Sequence, residues 1–232
     1  MTEIYSNNYV KIQEDAETSI FTIYFSYPNK ILSDSLLNTK IIHGGTSSDN
    51  YQTIKFKAHS VKSLDQFKKE RTVLSINLTG ILLGSLACQL NYLIRHKSHT
   101  IIGYSPENII VINEKHFAFL GSEMITEIDH ENEMSLVSFP FSTNNFYVSP
   151  ELLMIRKLPS YVHYKTAYFS LACIALYSLL KTEDFYTDYL REQNTEKILE
   201  HTENEPINGT KLYWLLARCL VREPHKRSII LI

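Results

Sequence analysis

Glycine is scarce in this chain. Seven occur among 232 residues, and neither a GxGxxG nor a GxxxxGK[ST] spacing can be built from them, so the Gly-rich loops that let a backbone approach phosphates closely are missing. Cysteine is scarcer still. Cys88, Cys173 and Cys219 are odd in number, far apart and each set in an apolar run, which argues against a disulfide framework and against a thiolate metal site. All three are expected to be buried, reduced thiols of an intracellular, cytoplasmic protein. An excess of charge is also missing: the net charge is −2 and the pI about 6.5, which excludes a general attraction to nucleic acid or to an acidic membrane surface. The opening residues contain no basic stretch followed by an apolar one, so no secretory signal is expected.

What is present is enough apolar content, 44%, to fill a sizeable core. Between residues 8 and 27, "YVKIQED" and "SIFTIYFSY" read as strands joined by the polar turn "AETS". "NKILSDSLLNTKII" has helical spacing, "HGGTSSDN" is a loop, and "YQTIKFKA" is one more strand. Ser63 is a plausible N-cap for "SLDQFKKE", which carries its acid early and its lysines late, as a helix dipole favours. Two uncharged runs follow, 75–94 and 166–180, the first with a GxxxG at Gly80 and Gly84. A membrane protein with two spans is one reading of them. Asn77, Gln89 and Asn91 interrupt the first, and the second has 15 residues where a bilayer needs about 20, so buried core helices are the better expectation. "NIIVINEKHFAF" reads as a strand pair, and "KLYWLLARCLVREPHKR" as an amphipathic helix ending near Pro224.

From Ser63 onward the motifs, taken in order, resemble those of a eukaryotic-type protein kinase domain. "SPENIIVI", Ser105 to Ile112, is similar to the second half of the kinase catalytic loop, HRDLxxxN and a short strand. "FLG", Phe119 to Gly121, stands where DFG would be, and "SPE", Ser149 to Glu151, is a variant of APE. "FSLACIALYSLL" resembles the apolar central helix, and "RCLVREPHKR" the closing motif whose arginine, here Arg227, pairs with the APE glutamate, here Glu151. Without the resemblance, these two would be read as solvated charges. The resemblance implies an α+β, protein kinase-like fold of two lobes: a reduced β-rich N-lobe over 1–58 and a mainly helical C-lobe over 59–232.

The departures fall on the chemistry. Phosphoryl transfer needs a proton acceptor, metal ions on the phosphates and a fixed cation. Counting back from Asn108, the resemblance places the base aspartate at Gly103, the following lysine at Ser105, and the preceding histidine and arginine at Ile101 and Ile102. His99 is two residues out of step and is expected at the surface. The magnesium-binding aspartate falls on Phe119 if Gly121 is the motif's glycine, or on Gly121 if the usual spacing from Asn108 is kept; neither register supplies a carboxylate. Asn108 alone offers one neutral oxygen to an ion that demands an octahedron of them. The first strands hold no matching lysine and the helix after them no glutamate, Lys55 and Lys57 being expected as exposed strand lysines. The aspartate that opens the central helix is Ala167. A catalytically inactive, kinase-like domain (a pseudokinase) is therefore expected, without metal or cofactor, serving as a scaffold or regulator for a protein partner. The alternative is an unorthodox ATP-dependent phosphotransferase, with Glu123 or Asp129 as displaced metal ligands and Lys55 or Lys57 on phosphate. The stretch 181–206 has eight acidic and three basic residues, 3 − 8 = −5, and its acidic 183–205 segment is the candidate docking surface for a basic partner. "KFKAHSVKSLDQFKKER" is its basic counterpart, and 138–148 correspond to the activation segment.

Overall fold

A computed structural model of the chain describes residues 1–138, 147–181, 186–187, 198 and 207–229. The fold is mixed α+β with several small antiparallel sheets. Five strands, β1 (Thr2–Ser6), β2 (Val10–Asp15), β3 (Ile20–Phe25), β4 (Thr46–Ser47) and β5 (Thr53–Lys57), form an antiparallel sheet in the order β1-β2-β3-β5-β4. Alternation decides its inner face: Val10, Ile12, Phe21, Ile23, Ile54 and Phe56 are all buried, and Phe21 stacks on Phe56 at 5.9 Å between ring centres. Helix α1 (Lys30–Asn38) begins where Asn29 accepts the Leu32 N–H, and it buries Leu32 and Leu36 in the same apolar cluster.

β6 (Val61–Ser63) leads directly into α2 (Leu64–Arg71). Ser63 is the N-cap, as its sequence context predicts, and Gln66 completes a capping box: Ser63 Oγ accepts from Gln66 N, and Gln66 Oε1 from Ser63 N. Helix α3 (Ile76–Tyr92) continues into a π-helical turn (Leu93–Lys97), followed by β7 (His99–Ile101), β8 (Ile109–Ile112), β9 (His116–Phe119), β10 (Ile125–Glu127) and β11 (Glu133–Leu136). Then come α4 (Pro150–Leu153), β12 (Ser160–His163), α5 (Thr166–Leu179) and α6 (Lys211–Cys219). β6, β8 and β9 make a three-stranded sheet, while β7 pairs with β10 and β11 with β12.

Among the described residues the β8–β9 pair divides two apolar cores. Every residue of β8 is buried, but Ile109 and Val111 belong to the helical core around α3 and α5, whereas Ile110 and Ile112 belong to the core beneath the five-stranded sheet. β9 and the residue after it repeat the split: Phe117 and Phe119 face one core, Ala118 and Leu120 the other. A period of two puts successive side chains on opposite faces, so an all-apolar strand can serve both sides. The core under the sheet thus reaches past residue 58 to Val61 and this hairpin.

Both uncharged runs are helices. α5 is enclosed almost throughout and α3 along one side, through Leu82, Leu83, Leu86, Ala87 and Leu90. Among the described residues one helix, Ile76–Lys97, is long and apolar enough to cross a membrane. Two expectations need correction. Cys173 and Cys219 are buried, but Cys88 is exposed, because only one side of α3 packs and Cys88 lies opposite it with Ile81. The last amphipathic helix ends at Cys219, five residues before Pro224, with the Leu220 N–H closing on Leu216 O.

Candidate functional site

Asn108 sits where the two cores meet, and its position is set locally. Ser105 caps a short turn, Pro106–Asn108, by accepting the Glu107 N–H, and Leu120 N just past β9 donates to Asn108 O at 2.8 Å. The turn buries Ser105 and Asn108, at 2% and 6% exposure. Asn108 therefore points into the junction with a fixed backbone.

The β1–β2 turn closes over it. β1 pairs regularly with β2 at Thr2 and Glu3, but Tyr5 stands opposite Ile12 and Ile4 has no partner. That extra residue re-aims the strand: Tyr5 is turned to the face that carries Ile12, which points into the core. Asn7 Oδ1 accepts the backbone N–H groups of Tyr9 and Val10 at 2.8 and 2.7 Å. Its amide nitrogen must then face the junction, where it donates to Tyr5 Oη at 2.8 Å and to Asn108 Oδ1 at 3.1 Å. Tyr5 Oη donates to the same Asn108 oxygen at 3.3 Å. With its oxygen committed to two donors, Asn108 turns Nδ2 to Glu123 Oε1, 2.9 Å away. Glu123 lies on the turn Ser122–Met124; its Oε2 is buried and has no partner among the described residues. Burial raises the Glu123 carboxyl above its ordinary range, and hydrogen bonds from its own backbone N–H and then from Asn108 only partly offset this. Burial, with the Glu123 charge second, likewise raises the Tyr5 phenol.

The structure brings together Asn108, Phe119, Gly121, Glu123 and, nearby, Gly103. No side chain could be accommodated freely at either glycine. A Cβ on Gly121 would lie 2.5 Å from Phe119 Cζ and 3.0 Å from Asn108 Nδ2, and one on Gly103 would meet Met124 Cε at 3.3 Å. The Phe119 ring fills the space beside Gly121 and packs edge-on against Tyr104 at 4.9 Å. Ile101 and Ile102 are buried, and His99 is half-buried with Nδ1 donating to Lys97 O.

Besides Tyr5 and Asn7, sequence reasoning missed two positioning side chains. Gln89, noted only as a polar break in an apolar run, is fully buried; it accepts from Phe119 N and donates to Phe119 O and to Ser35 Oγ. Ser170 on α5 accepts from Tyr104 N at 2.7 Å and donates to Tyr147 O, fastening the loop beside Gly103 to the central helix. Ala167, where the resemblance places an aspartate, lies one turn earlier on that helix. A buried polar residue in an apolar helix was the available signal for each.

Other sequence-derived positions are scattered. Lys55 and Lys57 are exposed on β5, as expected, away from the junction. On α1, Asp34 pairs with Lys97 of the π-helical turn at 2.5 Å. Glu151 and Arg227 are not solvated charges: the guanidinium is fully buried and holds both carboxylate oxygens, at 2.6 and 2.8 Å. The basic stretch around α2 is largely satisfied internally, through Lys62–Glu70, Lys69–Asp65 and Arg71–Glu114 pairs and Lys68 over the Tyr177 ring. In the acidic 183–205 segment only Tyr186, Thr187 and Ile198 are described, Tyr186 and Ile198 being buried; its acidic side chains, like residues 139–146 of the 138–148 stretch, lie outside the described residues. Among the described residues no group of three His, Cys, Asp or Glu side chains is placed to hold a metal. Compared with models of known protein families and with curated proteins, the chain matches none.

Proposed function

We propose that the chain is a two-lobe, protein kinase-like domain that performs no phosphotransfer and acts as a protein-binding scaffold or regulator. The observation that carries the reading is the orientation of Asn108. A metal-binding asparagine must offer its oxygen to the ion, and here that oxygen is taken by Tyr5 and Asn7 from the hairpin above it. The fold supports the resemblance on which this rests, since a five-stranded sheet with one helix precedes a helical core, and the Glu151–Arg227 pair joins the two motifs it was expected to join. No acid stands at the base or metal positions, and the space at Gly103 and Gly121 is taken by Met124 and Phe119.

One observation favours the alternative of a displaced metal ligand, namely the contact between Glu123 and Asn108. It is made through Nδ2, and an ion between the two would require the amide to turn over, placing its nitrogen against that of Asn7. Calorimetry of the full chain with ATP, with and without magnesium, separates the readings: scaffold activity predicts no magnesium-dependent heat, and a phosphotransferase predicts one that Glu123→Gln abolishes.

A further inference from the structure

Beneath α4 lies a groove remote in sequence from the Asn108 junction. It has a volume of about 550 Å³ and is lined by Met154, Arg156, Lys157, Tyr161 and His163, with Glu151 at its wall. That is room for one or two side chains rather than for an ion alone. β12 shapes it through its alternation: Val162 turns inward and is buried, while Tyr161 and His163, two residues apart, share the opposite face. Met154 and Tyr161 are 53% and 62% exposed, so the groove presents apolar contact area that the fold leaves uncovered among the described residues.

Its electrostatics are one-sided. Arg156 and Lys157 are adjacent, exposed, and without an ion-pair partner among the described residues. The groove's carboxylate, Glu151, is already held by Arg227 and by the Thr166 hydroxyl. His163 Nδ1 accepts the Lys165 N–H at 3.2 Å, which leaves the proton of the neutral ring on Nε2 as a donor. Burial, then Lys165, His225 and Arg227, hold His163 below its ordinary range, with Glu151 opposing them. Two unpaired cations are too few to follow a nucleic-acid backbone, whose binding rests on many phosphate contacts. They suit a short anionic segment that also carries an apolar side chain.

We infer that this groove is a docking site for an acidic peptide segment of a partner protein, with carboxylates on Arg156 and Lys157 and an apolar side chain against Met154 and Tyr161. The inference names a partner chemistry for the scaffold reading and rests on it only in part, because the groove does not depend on whether Asn108 binds metal. Failure of peptide binding would leave the ATP calorimetry unaffected, and the reverse.

The test is fluorescence anisotropy of the full chain with a labelled peptide of about ten residues in which Asp and Glu flank Leu and Phe. A lysine-substituted and an uncharged version serve as comparisons. The acidic peptide should bind about tenfold or more tightly than either, and weaken as salt rises. Arg156→Glu with Lys157→Glu should reduce its affinity about tenfold, and Tyr161→Ala should reduce it without altering the salt dependence. Lys55→Glu with Lys57→Glu makes the same change of net charge on exposed residues of β5 and should leave binding within about twofold. Equal binding of the acidic and uncharged peptides would overturn the inference. So would equal loss in the two charge-reversed variants, or no binding at all.

Discussion

Arg227 and Glu151 meet as a two-pronged ion pair across 76 residues of chain, with the guanidinium at 0% exposure and the carboxylate side chain at 16%. Two more guanidinium hydrogens go to Val221 O and Arg222 O, and the group lies over the Phe169 ring at 5.2 Å. Removing one partner strands a buried charge. Arg227→Ala should therefore cost on the order of 3–5 kcal/mol in urea unfolding, and a change under about 0.5 kcal/mol would count against the pair as a structural tie.

The same pair gives a pH dependence. Burial alone would raise the Glu151 carboxyl, but the Arg227 hydrogen bonds and charge outweigh it and hold the group below its ordinary value. A depressed folded pKa adds stability that is complete above the unfolded value, about 4.3, and is lost as pH falls through the folded one. Wild-type stability should drop below about pH 4.3 more steeply than that of Glu151→Gln, as read from chemical denaturation across pH.

Glu123 works in the opposite direction. Its carboxyl is raised by burial, so the folded state holds the proton longer than the unfolded chain, and stability declines as pH rises from the unfolded value through the folded one. The stability of Glu123→Gln relative to wild type should grow over that window, and a difference independent of pH would refute the assignment.

Gln89 satisfies both backbone groups of Phe119 and the Ser35 hydroxyl. Gln89→Leu keeps the apolar helix but leaves the Phe119 N–H and C=O unpaired, Ser35 keeping its bond to Leu32 O, and should cost roughly 1–3 kcal/mol or more. Hydrogen exchange at Phe119 N–H should accelerate with it; unchanged protection there would sink the idea that Gln89 holds this strand.

On the proposed reading, an acid introduced at Gly103 should not produce a reaction. Gly103→Asp must push against Met124, whose Cε would lie 3.3 Å from the new Cβ, so it should lower stability by roughly 1–3 kcal/mol and give no transfer of labelled phosphate. Transfer by this variant would show that the Asn108 orientation does not prevent metal binding.

Much of this was legible in the residues. Alternating runs marked β2, β3 and β5, Ser63 marked the start of α2, and the order of motifs pointed to Glu151 and Arg227 as partners. Tyr5 and Asn7 carried no such signal, because "YSNN" reads as an ordinary polar turn; their role depends on a register irregularity at Ile4 and on which face of the sheet meets the helical core. Cys88 was misjudged for a related reason, since an uncharged helix does not declare which side will pack.

The sequence alone marked β2, β3, β5, the β8–β9 pair, the helices α1, α2, α3 and α5 and the start of α6, because those follow from side-chain periodicity and from caps a few residues apart. Only the tertiary structure decided that Asn108 faces Tyr5 and Asn7, 103 and 101 residues away, and that Gln89 grips Phe119. Hydrogen bonds between such distant groups are set by how two cores stack on the β8–β9 pair, and no local pattern encodes that packing.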